Sequence, residues 1–153
     1  MSQYLLDTNM IIIYSRENDF ARKIEKHYQL FSDNNDLFVS TVTLGELNAF
    51  IKNNNIGRKK RENISNMLAK TTRISIEHEE IIDKYGDIDA FSQGKLKIKG
   101  HEFSARNMGK NDIWIAATAS HFDLELITTD KDFSHLKDVF LDLEYIELSS
   151  LSV

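Results

Sequence analysis

The chain has 153 residues, of which 41% are hydrophobic and 28% charged, so its composition is that of a soluble globular protein and its length predicts one domain spanning residues 1–153. It contains no cysteine, which excludes disulfides, thiolate metal sites and cysteine nucleophiles and leaves oxygen atoms as the simplest metal ligands. The net charge of −5 argues against a protein that holds nucleic acid by its overall charge alone, and no window approaches the ~20 apolar residues of a membrane span.

The first element is a short apolar run, Tyr4-Leu5-Leu6, that stops at Asp7. Such a run, followed by turn-forming residues, is typical of a buried strand whose carboxyl end presents the acid, where open α/β sheets bind ligands. Because this stretch is short and carries Asp7 and Asn9, it lacks the pattern of a signal peptide, and we expect a cytoplasmic protein. A short helix, Met10 to Tyr14, follows, with Asn9 as its predicted cap.

The middle of the chain alternates between helical and strand patterns. From Asp19 to Phe31, apolar residues recur every three or four positions, which predicts an amphipathic helix. Leu37 to Ser40 is a second strand, followed by a helix that Thr41 or Thr43 caps. That helix is predicted to end at about Lys52. The next predicted elements are a helix from Arg58 to Leu68, a strand from Arg73 to Ile76 and a helix from about Glu77 to Phe91.

Ser92 to Gly109 contains three glycines and alternating lysines, which predicts an exposed loop with some helix near Glu102. The stretch Ile113 to Ala119 is apolar on most sides, as in a central buried helix. The last predicted elements are a strand from Leu124 to Thr129 that closes on Asp130, a helical turn from Phe133 to Leu136 and an edge strand from Leu143 to Ile146. Strands that alternate with helices, without hairpin signals, predict an α/β protein with a mostly parallel sheet covered on both faces.

Four acids stand at junctions between these elements. Asp7 and Asp130 end strands, Glu46 lies in the opening turns of the helix after the second strand, and Asp112 opens the buried helix. In a parallel sheet these junctions share one edge, so the four carboxylates are expected to converge there. Converging carboxylates repel one another unless cations bridge them, and Mg²⁺ or Mn²⁺ suits an oxygen-rich site. The chemistry suggested is phosphodiester hydrolysis by a metal-activated water.

Each acid also has a purely structural interpretation. Asp112 and Glu46 would stabilise the first turns of their helices through the helix dipole, by about 0.3–1 kcal/mol each. Asp7 would form an Asx turn, and Asp132 competes with Asp130 for the place at the start of the short helix. The metal hypothesis therefore depends on the conjunction of the four positions.

Four stretches of the chain resemble, in order and spacing, the successive motifs of PIN-domain ribonucleases. They are Leu5-Leu6-Asp7-Thr8-Asn9, Ser40-Thr41-Val42-Thr43-Leu44-Gly45-Glu46-Leu47, Asn111 to Ala119, and Leu126-Ile127-Thr128-Thr129-Asp130-Lys131-Asp132-Phe133. The resemblance covers nearly the whole chain and is greatest to the VapC-type toxins of toxin–antitoxin modules. It departs from their commonest form in the longer, lysine-bearing stretch from Ser92 to Gly109.

The resemblance implies a three-layer α/β/α sandwich and a Mg²⁺- or Mn²⁺-dependent endoribonuclease. By position, Asp7, Glu46, Asp112 and Asp130 would form the acidic cluster, and Thr128 would help to place a water or phosphate. Asn9 would orient Asp7 by a hydrogen bond. VapC-type toxins also imply a homodimer and a cognate antitoxin, with Ile11, Tyr14 and Phe50 as candidate exposed contacts.

RNA would also need cationic contacts. Candidates are the cluster Lys95, Lys97, Lys99, Arg106 and Lys110, and the cluster Arg58-Lys59-Lys60-Arg61, which is also explained as a solvated helix face.

The sequence bears on three functions other than a nuclease. A haloacid-dehalogenase-like phosphatase needs an acid two residues after the first, where this chain has Asn9, and a receiver domain needs an acid at the end of its third strand. A non-catalytic binding module stays open, although four acids at one edge would destabilise it.

Overall fold

The computed structural model describes residues 1–150. Within them, five strands form one parallel sheet, with the first strand at its centre. The strands are β1 (Ser2–Leu6), β2 (Asn35–Ser40), β3 (Thr71–Ile74), β4 (Glu125–Thr128) and β5 (Leu143–Tyr145), and their order across the sheet is β3-β2-β1-β4-β5. The last strand therefore lies at an edge, as predicted.

Helices cover both faces of this sheet. They are α1 (Thr8–Ser15), α2 (Asp19–Tyr28), α3 (Thr41–Asn53), α4 (Arg58–Leu68), α5 (Glu79–Ser92) and α6 (Lys110–Phe122), with two short 3-10 helices at Lys131–Leu136 and Leu148–Ser150. None of the helices in residues 1–150 has the length and apolar character needed to span a bilayer.

Side chains along the central strands point alternately to the two faces of the sheet, and this divides the core into two halves. Leu5 and Leu126 pack in one cluster with α5 and α6, whereas the next residues, Leu6 and Ile127, pack in a second cluster with α1 to α4. All four side chains are at most 1% exposed. Successive strand residues point to opposite faces, so a sheet buried on both sides needs continuous apolar runs of this kind. The predicted three-layer α/β/α fold with a mostly parallel sheet is confirmed.

Two helices begin without any loop after their strands. Helix α1 starts two residues after Leu6, and its cap is Asp7, whose side chain accepts a hydrogen bond from the Thr8 amide. Helix α3 follows β2 directly, and Ser40 Oγ caps it by accepting from the Val42 amide at 3.1 Å. The predicted caps Asn9, Thr41 and Thr43 are wrong because the last extended residue of each junction already takes the capping position.

The stretch between α5 and α6 is a loop throughout, so the helix predicted near Glu102 is wrong. It is tied down at both ends: the Arg106 amide donates to the Ser92 carbonyl at 2.8 Å, and Met108 is only 8% exposed. Two boundaries also differ, because α2 ends at Tyr28 before the left-handed Gln29 and β3 begins two residues before Arg73.

Of the three apolar residues considered as exposed contacts, Ile11 is 0% exposed and belongs to the core. Tyr14 is half-buried, and its hydroxyl donates to Glu25 at 2.7 Å. Phe50 is half-buried as well. Ile11 is therefore excluded as a partner contact.

Candidate metal centre

Asp7 is held rigidly at the carboxyl end of the central strand. It is 3% exposed, and its backbone amide continues the sheet by donating to the Ile127 carbonyl at 3.1 Å. Oδ1 accepts from the Thr8 amide at 2.8 Å, and Oδ2 accepts from the Thr128 hydroxyl at 2.7 Å. The Thr128 Oγ1 in turn accepts from the Asp130 amide at 2.9 Å. Thr128 thus connects the two strand-end acids.

Glu46 is oriented by a pair of threonines. The Thr8 hydroxyl donates to Glu46 Oε1 at 2.7 Å, and the Thr8 and Thr43 hydroxyl oxygens are 3.0 Å apart. Because the single hydroxyl hydrogen of Thr8 goes to the carboxylate, Thr43 is the donor in the second bond. Both threonines are buried. The sequence interpretation missed them, although Thr8 directly follows the first acid.

Asp112, Asp130 and Asp132 form the tightest part of the cluster. One carboxylate oxygen from each lies within 4.8 Å of the others. Asp112 stands in the first turn of α6, and Asp130 caps the 3-10 helix Lys131–Leu136 by accepting from the Asp132 amide at 2.9 Å. The structure brings the carboxylates of both Asp130 and Asp132 close to Asp112, so both are candidates for the fourth acid.

The charges of these acids act on one another. Burial raises the pKa of Asp7 to about 6, and the charges of Asp130 and Glu46 add to the rise, while hydrogen bonds from Thr128 and Thr8 oppose it. Burial also raises the pKa of Asp112 to about 7, reinforced by Asp7, Asp130, Glu46 and Asp132. The four predicted acids and Asp132 therefore share one electrostatic environment, which a cation would stabilise.

The donor set fits a hard divalent cation. Octahedral Mg²⁺ places its ligand oxygens at about 2.1 Å, so neighbouring ligands lie about 3 Å apart and opposite ligands about 4 Å apart. The oxygens of Asp112, Asp130 and Asp132, which lie within 4.8 Å of one another, are close to this spacing. An open pocket of about 410 Å³, lined by Glu46, Gly109, Lys110, Asn111 and Asp112, leaves room for a substrate beside them.

Asn9 lies apart from the cluster. Its side chain is exposed and lines a separate pocket of about 290 Å³ with Ile12 and Thr129. Within residues 1–150, the side-chain donor to Asp7 is Thr128, and Asn9 makes no hydrogen bond to it. The expectation that Asn9 orients Asp7 is therefore corrected, because as the second residue of α1 it projects away from the strand end.

The predicted RNA-contacting cations are all exposed. Lys110 lines the pocket beside Asp112, and Lys97 and Lys99 line a cavity of about 450 Å³ that Phe103 also borders. Across the described part of the chain, salt bridges join only Arg22 with Asp19 and Arg58 with Glu62. Lys95, Lys97, Lys99, Arg106 and Lys110 are therefore not neutralised by such pairs within residues 1–150.

Comparison with solved structures shows the same fold in toxin–antitoxin proteins. The chain resembles VapBC2 from Rickettsia felis, bound to a DNA fragment from its promoter, with a TM-score of 0.69 and 20% identity, covering 94% of this chain and 98% of the other. It resembles VapBC-1 from nontypeable Haemophilus influenzae with a TM-score of 0.64 and 26% identity, covering 94% and 97%. For VapBC-5 from Mycobacterium tuberculosis, the TM-score is 0.63, the identity 18% and the coverage 95% and 100%.

Sequence comparison with curated proteins gives no match. A family model does match: the PIN domain model covers residues 4–139, which include all four acidic motifs. The resemblance to VapC-type PIN proteins, inferred from those motifs, is confirmed. The chain therefore belongs to the PIN domain family.

Proposed function

We propose that this protein is a divalent-metal-dependent endoribonuclease and the toxin of a toxin–antitoxin module. The observation that carries the proposal is the convergence of carboxylates at the carboxyl edge of the sheet, with the pKa of Asp112 raised to about 7. Buried charges that repel one another weaken a fold, so their retention is accounted for by a cation that they bind.

Some residues of the site are proposed metal ligands, and others hold those ligands in position by hydrogen bonds. Asp7, Glu46, Asp112 and Asp130 would hold Mg²⁺ or Mn²⁺, joined by Asp132 from the same turn. When bound, the ion supplies the Lewis acidity and water activation that phosphodiester hydrolysis requires. Thr128 fixes Asp7, and Thr8 fixes Glu46, so that neither carboxylate must reorganise when the cation and substrate arrive.

The partners are proposed from the family and its solved members. The structures from Haemophilus influenzae and Mycobacterium tuberculosis are of VapBC proteins, the latter named as a toxin–antitoxin system. We infer that this chain also has a cognate antitoxin, forms a homodimer and acts in the cytoplasm on cellular RNA.

The direct test is cleavage of total cellular RNA by the purified protein. We expect discrete RNA fragments with Mn²⁺ or Mg²⁺, no cleavage after chelation by EDTA, and recovery when the metal is restored. Single-stranded DNA of matched length is the control substrate for RNA preference. Metal-independent cleavage, or intact RNA at every metal concentration, would contradict the proposal.

The lysines of the 93–109 loop supply a second prediction. Replacing Lys95, Lys97 and Lys99 by alanine is expected to weaken binding of single-stranded RNA and to reduce its salt dependence, because each lost phosphate contact lowers the slope by about 0.7. Fluorescence anisotropy with the Asp112→Asn background measures binding without cleavage. The matched control replaces three exposed lysines outside both cation clusters, Lys26, Lys52 and Lys137; an equal loss in both proteins would contradict a specific role for the loop.

A further inference from the structure

His135, in the same 3-10 helix that carries Asp132, packs against two aromatic rings from other parts of the chain. Its imidazole is parallel to the Phe91 ring, with centroids 6.2 Å apart and an interplanar angle of 3°, and lies 5.1 Å from Phe103. The Phe91 and Phe103 rings also contact each other, with centroids 4.8 Å apart, so the three rings form one aromatic cluster. The polar contacts of the imidazole are therefore confined to the two nitrogens at the ring edge.

One of these nitrogens meets a buried serine. Ser92, the last residue of α5, is 0% exposed, and its Oγ lies 2.7 Å from His135 Nε2 and 3.2 Å from the Met108 sulfur. The Ser92 carbonyl accepts from the Arg106 amide. This serine therefore joins three segments: the end of α5, the 93–109 loop and the 3-10 helix Lys131–Leu136.

The pair is neutral and is not a nucleophilic dyad. Burial lowers the pKa of His135 to about 4, with Arg106 acting in the same direction, and a weak interaction with the Asp132 backbone opposes the shift. Nδ1 is buried and, among residues 1–150, has no partner of full hydrogen-bond geometry. Since Ser92 is inaccessible to substrate, the contact between the two side chains can act only by fixing positions.

The Ser92–His135 contact is linked to the acidic cluster through the 3-10 helix Lys131–Leu136. His135 follows Asp132 by three residues, one turn of a 3-10 helix, so the two side chains lie on the same side of it. Phe133 and Leu136 anchor this helix through apolar contacts, which are not directional. In the part of the chain that the structure describes, Ser92–His135 is the only side-chain hydrogen bond from residues 131–136 to another element.

We propose that Ser92 and His135 are positioning residues of the metal centre, which hold the 3-10 helix so that Asp130 and Asp132 face Asp112. This inference rests on the proposed metal-dependent function. Residues that orient ligands from behind typically change metal affinity by roughly 10–100-fold when they are replaced. Loss of the Ser92–His135 bond is expected at the lower end of that range, since the ligands themselves remain.

The test is Mn²⁺ titration calorimetry of folded variants. Ser92→Ala and His135→Asn are expected to weaken Mn²⁺ binding by roughly 10-fold. His135→Gln places an amide near the position of Nε2 and is expected to stay close to wild type. The matched control is Ser120→Ala, which removes another helix-serine bond, from Ser120 Oγ to the Phe140 carbonyl at 2.6 Å. Melting temperatures show how much each change costs in stability.

The outcomes separate the two proposals. If Ser92→Ala and His135→Asn lower the melting temperature as Ser120→Ala does but bind Mn²⁺ as wild type does, the contact is structural and the positioning role is overturned. If His135→Gln is as defective as His135→Asn, the hydrogen bond is not the cause, which also overturns it. If the wild-type protein binds no Mn²⁺, the proposed metal-dependent function fails, and the positioning role fails with it.

Discussion

Replacing Asp112 by asparagine is expected to abolish RNA cleavage while making the metal-free protein more stable. The substitution removes a proposed ligand, so the loss of activity should exceed the roughly 10–100-fold that is typical of residues behind the ligands. It also removes a carboxylate whose pKa is raised to about 7 by burial and by four neighbouring acids. The metal-free variant lacks this repulsion, so its free energy of unfolding is higher than that of the metal-free wild type.

Cleavage assays and thermal melts with and without Mn²⁺ measure both effects. Wild type is expected to gain stability on adding Mn²⁺, because a ligand that binds only the folded state stabilises it, whereas Asp112→Asn gains much less. The matched control is Asp19→Asn, an exposed acid in the first turn of α2, which should change neither activity nor the response to Mn²⁺.

The alternative, that Asp112 and Asp7 serve only as helix-terminal stabilisers, predicts the opposite sign. Loss of a capping side chain costs about 0.5–2 kcal/mol, and a carboxylate lost near a helix amino end costs about 0.3–1 kcal/mol. Metal-free Asp112→Asn and Asp7→Asn proteins that melt below wild type, with no change in the response to Mn²⁺, would exclude the metal centre.

Raising the pH is expected to destabilise the metal-free protein between about pH 4 and pH 7. The pKa of Asp7 rises from 3.8 to about 6 on folding, and that of Asp112 from 3.8 to about 7. In this window the folded state binds more protons than the unfolded state, so the free energy of unfolding falls as the pH increases. For Asp7, two pKa units correspond to about 3 kcal/mol; half-exposed Asp112 contributes a smaller, solvent-screened amount.

Urea titrations at pH 5 and pH 8, with EDTA and with Mn²⁺, measure this linkage. With EDTA, we expect the free energy of unfolding to be lower at pH 8 than at pH 5. With Mn²⁺, we expect this order to be reversed, since deprotonated carboxylates bind the cation. The Asp7→Asn protein should show a flatter pH dependence, because asparagine has no proton to release. A wild-type protein whose stability does not change over this range would contradict the raised pKa values.

The positions of the acids that end strands can be predicted from the sequence. Apolar runs that stop at Asp7 and Asp130 mark strand ends, and parallel strands bring such ends to one edge. The structure places Asp7 and Thr128 in hydrogen-bond contact, as neighbouring β1 and β4 require. Local pattern and sheet geometry are therefore sufficient to place these positions.

Side-chain pairing between distant elements is not readable in the same way. Thr8 donates to Glu46 across 38 positions, and Ser92 meets His135 across 43, contacts that depend on rotamers set by packing. Asn9, which the family resemblance led us to expect as the residue that orients Asp7, makes no hydrogen bond to it within residues 1–150. The contact comes from Thr128 on the neighbouring strand instead.

The position of β1 at the middle of the sheet also affects when the acidic cluster can assemble during synthesis. Its hydrogen-bonding neighbour β4 is translated more than a hundred residues later, and the bond from Thr128 to Asp7 spans 121 positions. Asp112, Asp130 and Asp132 also emerge late from the ribosome. A nascent chain therefore has no complete acidic cluster, which forms only when the carboxyl-terminal third has joined the sheet. Under the proposed nuclease function, the message that encodes the chain is thereby protected while it is being translated.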